Sequence, residues 1–399
     1  MSLLASWVIV SIVMARGLGG FLSERLPEGI KRPSLTLESG KIRIGMLLAL
    51  LLCLSGCSAG GSGSSGNGGP PPPPPPPPGP GVVNGVFALQ IPGTNNTSIN
   101  SSYLIPQINV AGAVIFVVWS AVDSGNGALD WSSVESQIAP WWAAGKKSAL
   151  VVWPVSDDTS IVATPAYVLA QLPPTVNCAT WSNVPEFTAS SFQSTYTAFL
   201  ESFFAKYGSD PRIAYIRVGM GNGGETYPAC VIEQEQAYGL TQSAWQTYVD
   251  SILAVEHENA GSNPLMVALD CYGAPCPASN PYAFPANVAS LAAQYGFGIG
   301  SEGLQKTDMT SYDADQPCGA NWCGFFAEYP TVPFRELQFA SATCADNSCT
   351  TGSPIELLPF AKARGGNVVE MTTTDLSIAF VPPPGQYTPA YQQAIAAFQ

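Results

Sequence analysis

The chain has 399 residues, 46% hydrophobic and 11% charged, with a formal net charge of -13. That is apolar material enough for one large core and too little charge for a mainly disordered protein. The acidic balance and the lack of any basic run exclude nucleic acid as a partner and a purely electrostatic hold on an anionic membrane. The single histidine, His257, lies in the polar stretch AVEHENAG. It reads as a solvated helix residue, so neither a Ser/His/Asp triad nor a multi-histidine metal site is expected, and no metal or cofactor is called for.

At the N-terminus, residues 2–15 form an apolar segment too short for a spanning helix, which reads as an extension ahead of a mis-assigned start. A clearer signal follows. Lys41 and Arg43 precede the apolar core MLLALLLC and the tetrapeptide LSGC ending at Cys57. This is the order of a secretory signal: charge, apolar core, small residues. LSGC resembles the lipobox of bacterial lipoproteins. The resemblance implies that Cys57 is lipidated and anchors the protein in a membrane of the bacterial cell envelope. Ser58 is not the aspartate that retains such proteins at the inner membrane in some bacteria, so an outer-membrane location is expected, with the domain facing the periplasm or the exterior. Residues 1–57 are thus signal and extension. Residues 58–82 are a Gly/Ser stretch with nine consecutive prolines, Pro70 to Pro78, a polyproline rod roughly 28 Å long at ~3.1 Å per residue. The remaining 83–399 should form the working domain, a monomer.

Two of the ten cysteines, Cys53 and Cys57, belong to the signal. The other eight fall into CYGAPC (Cys271, Cys276), CGANWC (Cys318, Cys323), CADNSC (Cys344, Cys349) and the separated pair Cys178 and Cys230. An even count in close pairs, in an exported chain, reads as disulfides that stiffen loops rather than as zinc ligands.

From residue 83 onward eight apolar runs read as strands: Gly85 to Ile91, Ala113 to Trp119, Ser148 to Pro154, Ile213 to Gly219, Leu265 to Asp270, Phe297 to Glu302, Pro333 to Phe339 and Asn367 to Met371. Near-continuous apolar runs suit parallel strands buried on both faces. Between them lie helical patterns: Tyr103 to Val110, Ser132 to Ala144, Ser191 to Tyr207, Thr241 to Asn259, Asn287 to Tyr295, Trp322 to Tyr329, Pro354 to Ala363 and Pro389 to Phe398. This alternation predicts an α/β fold, a (β/α)8 TIM barrel. A doubly wound sheet is the runner-up, and the first strand lacks the glycine fingerprint it would carry.

Active sites of such barrels form at the C-terminal strand ends. The stretch RIAYIRVGMGNGGETYP shows this most clearly, an apolar strand running through glycines to Glu225. The candidates at strand ends are Glu225, Asp270, Glu302, Glu336, Gln338 and Glu370, with Asn222 nearby. Carboxylates without histidine suit glycoside hydrolysis, which needs one acid/base and one nucleophile or second base. Trp119, Trp153 and Trp322 are candidate platforms for the apolar faces of sugar rings. Arg217, mid-strand, should point inward and hold one of the glutamates, because a buried guanidinium needs a carboxylate.

The unit GAVIFVVWSAVDSGNGALDWSSVESQIAPWWAAGKKSALVV resembles the corresponding region of clan A glycoside hydrolases such as families 42 and 5, including the step Asp130, Trp131, Ser132. In that clan the acid/base glutamate follows strand four and the nucleophile glutamate ends strand seven. The resemblance therefore implies Glu225 as acid/base and Glu336 as nucleophile of a retaining hydrolase acting on a carbohydrate. The clan carries asparagine immediately before its acid/base; here that position is Gly224, and Asn222 lies three residues before Glu225. The competing expectation is a surface lipoprotein that binds glycan on the same scaffold without cleaving it.

Overall fold

The computed structural model describes residues 84–91, 101–125, 127–156, 160–179, 181–273, 283–306, 325–340 and 351–399. The signal segment with Cys57, the proline-rich linker, Trp322, Cys276, Cys318, Cys323, Cys344 and Cys349 lie outside them. Among the described residues no helix is long and apolar enough to cross a membrane.

Eight strands close into a barrel in sequence order: β1 (Gly85–Gln90), β2 (Val110–Val118), β3 (Lys147–Trp153), β4 (Ile213–Val218), β5 (Leu265–Leu269), β6 (Gly298–Leu304), β7 (Arg335–Phe339) and β8 (Val368–Thr372). Every pairing is parallel, and β1 joins β8 from Gly85↔Val368 to Leu89↔Thr372. The fold is the (β/α)8 barrel that the alternation predicts.

Successive strand residues face opposite sides. One set faces the helix layer, where Ile115, Leu150, Ile216, Val267, Leu337 and Val369 join the main core. The other fills the barrel interior, where Phe87, Val114, Phe116, Val151, Trp153 and Met266 form a second cluster. The helices Ser132–Ala143, Ser190–Tyr207, Gln242–Asn259, Ala283–Tyr295, Pro354–Ala363 and Thr388–Phe398 cover the outside. The helix Gln242–Asn259 starts at Thr241, whose Oγ1 accepts from the Ala244 N–H at 3.2 Å and so satisfies one of the donors that a helix start leaves open.

Three local departures matter. The expected helix Tyr103 to Val110 is a single 3₁₀ turn, Ser101–Tyr103. Pro106 disfavours helical geometry in the residue before it, and the chain enters β2 already at Val110. At the other end, β2 stops at Val118 and Trp119 opens a helical turn, Trp119–Val122. Short helices also form at Ala166–Leu169, Val231–Tyr238 and Thr373–Phe380. The last carries a readable start signal, since Thr372 Oγ1 accepts from the Asp375 N–H at 3.2 Å.

Candidate active site

Tyr215 and Arg217 both turn into the barrel from β4. Arg217 is only 1% exposed, and it spends its charge on two glutamates. Its Nη1 pairs with Glu302 Oε1 of β6, and its Nη2 with Glu370 Oε2 of β8 at 3.1 Å. Nη2 also donates to Gln338 Oε1 of β7 at 3.2 Å, and Gln338 Nε2 in turn donates to Glu302 Oε2 at 3.4 Å. Behind this, the Tyr215 hydroxyl donates to Glu370 Oε1 at 2.6 Å. Four strands thus converge on one guanidinium.

The loop after β4 places Glu225 beside this network. The Glu225 N–H donates to Asn222 O at 2.8 Å, the Met220 N–H to Glu225 O at 3.1 Å and the Asn222 N–H to Tyr227 O at 2.9 Å, so the turn is closed on itself. It is also stitched to β5. Glu225 bridges Ala268 in parallel fashion, Thr226 Oγ1 donates to Ala268 O at 3.0 Å, and the Asp270 N–H donates to Thr226 Oγ1 at 3.1 Å. The result sets the carboxyl of Glu225 beside those of Glu302 and Asp270, near enough for both to act on it. Desolvation, then the charges of Glu302 and Asp270, push the Glu225 carboxyl well above the usual range.

Gly224, where the resemblance leads one to expect asparagine, is closely hemmed in. A Cβ there would lie 2.4 Å from Val151 Cγ1 and 3.0 Å from Arg217 Nε. The space beside the acid is taken by the guanidinium stem, and only glycine fits.

A second segment braces the loop. Cys178 is disulfide-bonded to Cys230, 52 residues on. Trp181 Nε1 donates to Asn222 Oδ1 at 2.7 Å, and its ring lies 5.6 Å from that of Tyr227. Asn222, expected to meet substrate, therefore supports the turn that carries Glu225. Trp181 is absent from the expected candidates; the one hint is its place three residues after Cys178. Cys271 is also disulfide-bonded.

The remaining candidates are placed as follows. Glu336 differs most from expectation. It is fully buried on β7, two residues deeper than Gln338, and neither carboxyl oxygen has a hydrogen-bond partner among the described residues. The groups that raise Glu225 are Glu302 and Asp270, and Glu336 is not among them. Strand parity is the reason: Glu336 and Gln338 both face inward, and Gln338 holds the position nearer the mouth. Glu370 is also fully buried, held by Tyr215 and Arg217. Trp119, expected on the rim, is 0% exposed behind the barrel wall and stacks on Phe199 at 5.5 Å. Strand parity turns it outward: Trp119 falls in step with Ile115 and Val117, which face the helix layer. Trp153 does face the interior, 4.9 Å from Phe116, beneath the loop at Gly223, and its indole N–H has no acceptor among the described residues.

Cations gather near the strand starts, where Arg212 is paired with Asp210 and Glu135. Lys146, Lys147, Arg212, Arg335, Lys362 and Arg364 all lie at or just before strand starts. In the sequence, the segments leading out of the eight strands carry one cation, Lys306, against Asp123, Asp130, Asp157, Asp158, Glu225 and Asp270 among others. Lys306 is paired with Glu356 at 2.9 Å.

No protein-family model matches the chain, and no curated protein matches it in sequence. Solved structures do match. The catalytic domain of a β-amylase from Paenibacillus polymyxa superposes with a TM-score of 0.52 at 12% identity, covering 80% of this chain and all of that one. A β-galactosidase from the psychrophilic Marinomonas ef1 superposes with a TM-score of 0.49 at 9% identity, over 78% of this chain and 59% of that one. At these identities the likeness shows the fold.

Proposed function

We propose that the protein is a retaining glycoside hydrolase in which Glu225 is the acid/base and Glu302 the nucleophile. The observation that carries this reading is the closeness of the two carboxyls in unlike surroundings. Burial and two acidic neighbours keep the proton on Glu225, while Glu302 is paired to Arg217. Such a division is what acid and nucleophile require. The two carboxyls are immediate neighbours, which suits direct attack by Glu302 better than the ~6.5–9.5 Å separation that an interposed water needs.

In this scheme Glu225 gives its proton to the glycosidic oxygen as the bond to the anomeric carbon breaks. Glu302 attacks that carbon to form a glycosyl ester. Water then enters, Glu225 takes its proton, and the ester is released with the original anomeric configuration. Substrate must part the two carboxyls to about 5–5.5 Å. Arg217 and Gln338 hold Glu302 in place as its charge is consumed. The substrate is a carbohydrate outside the cytoplasm, reached by a monomer lipid-anchored at Cys57 through the proline rod.

The fold of the β-amylase catalytic domain is compatible with this chemistry. One observation favours the alternative of a non-catalytic glycan-binding lipoprotein: β7 presents Gln338, not a glutamate, at its inward position nearest the mouth. Turnover on a broad glycan panel decides. Glu225→Gln and Glu302→Gln should each lower kcat by ~10²–10⁴-fold while glycan binding persists, and NMR of the first-formed product should show the substrate's own anomer. No turnover by the wild type with retained binding would support the alternative.

A further inference from the structure

We propose that Glu336 is a positioning residue, a neutral acid set behind Arg217 so that the guanidinium stays committed to Glu302 at the mouth. The inference rests on Glu225 and Glu302 being the working carboxyls. Its starting point is an imbalance inside the barrel. Three interior glutamates, Glu302, Glu336 and Glu370, face one cation, Arg217. Two of them take its Nη1 and Nη2 groups. Glu336 takes nothing: it is 0% exposed and both its oxygens lack partners among the described residues.

Room for that carboxyl is built in. Its Oε2 lies where a Cβ on Gly300 would fall, 2.4 Å away, with Met266 Sδ 2.8 Å from the same point. Any side chain at position 300 would evict it. The charged and titratable groups that face it are Glu370 on β8, Arg217 and Tyr215 on β4 and Glu302 on β6; Met266 on β5 and Val368 on β8 complete its surroundings without charge. Burial and the charge of Glu370 hold the Glu336 carboxyl well above the usual range, against the pull of Arg217. Arg217 also keeps one N–H, Nε, without an acceptor among the described residues.

The arrangement therefore has two states. With Glu336 protonated, Arg217 serves Glu302 and Glu370. Loss of that proton creates a third anion competing for the same guanidinium, weakening the hold on Glu302. Activity should fall on the alkaline side for a reason located two residues below the mouth of β7.

The sign for stability follows from linkage. A carboxyl raised on folding favours the folded state most below the unfolded carboxyl range, near ~4.3, and that contribution is lost as pH rises through the folded value. Glu336→Gln removes the titration, so its melting temperature should fall less with rising pH than that of the wild type. Glu256 supplies the control: it too is 0% exposed with both oxygens unpartnered among the described residues, but it lies on the outer helix Gln242–Asn259. Glu256→Gln should flatten the stability profile and leave the activity profile alone.

The decisive experiment is carboxyl ¹³C NMR of the full chain labelled at glutamate, with assignment by the variants. In the wild type the Glu302 resonance should show, besides the step set by its neighbour Glu225, a step that follows the titration of Glu336; in Glu336→Gln that second step should vanish, and in Glu256→Gln it should remain. On any glycan that is turned over, Glu336→Gln should retain neutral-pH activity within an order of magnitude and extend the alkaline limb. A Glu302 resonance indifferent to Glu336 overturns the proposal, as does an unchanged alkaline limb, and so does loss of turnover at every pH, which would make Glu336 the nucleophile. Absence of turnover in the wild type would overturn the hydrolase reading and leave the resonance test of Glu336 standing. Should Glu336→Gln fail to fold, Glu336→Asp supplies the assignment, since it removes the Glu336 resonance while keeping a carboxyl, and the wild-type titration then carries the test.

Discussion

At Glu225 a carboxylate ends a run of glycines that have no packing task visible in the sequence, and that oddity is what made it legible. Gly224 carries the cost of its neighbourhood. Gly224→Ala should lose about 1–3 kcal/mol to overpacking against Val151 and Arg217, and turnover should fall with it because the guanidinium must move. Calorimetry and kinetics on one preparation check both; an unchanged melting temperature would mean that the barrel yields there. The second carboxylate was harder to read. Glu302 and Glu336 both stand near strand ends in sequence, and what separates them is depth and the cross-barrel reach of Arg217. No local pattern encodes that. The resemblance to clan A pointed to strand seven, where parity puts Gln338 at the mouth instead.

Among the elements, the eight strands were readable as short, mostly apolar runs alternating with helical patterns, while their ends were not. Alternation decides Trp119: it shares the parity of Ile115 and Val117, so it lies behind the wall in a stack on Phe199 and not on the rim. Trp181 was invisible for the opposite reason: it lies in an irregular segment whose place is set by the disulfide and by the bridge Val176↔Val184. That segment should matter to catalysis. Replacing both Cys178 and Cys230 by alanine should cost about 2–4 kcal/mol and should speed hydrogen exchange at Met220 to Tyr227, with kcat reduced more than KM is raised. Unchanged exchange in that loop would show that Trp181 alone suffices to hold it.

Taken as a whole molecule, the barrel was legible because alternation of strand and helix over one long domain leaves few other architectures. The interior network was only half legible: a mid-strand arginine announces a buried partner, but not that it would have three claimants.

The scarcity of cations in the segments after the strands has a consequence for what reaches the mouth. The segments after the strands, which in sequence carry several aspartates and one lysine, Lys306, paired to Glu356, slow the approach of anions and let neutral or cationic chains arrive at the diffusional rate. The association rate of a polyuronate should therefore climb as salt shortens the Debye length from about 30 Å at 0.01 M to about 10 Å at 0.1 M, whereas that of an uncharged glycan of equal length should stay level. Stopped-flow measurements across that range would reveal it. The field at the mouth would then act as a filter on solutes before any side chain touches them.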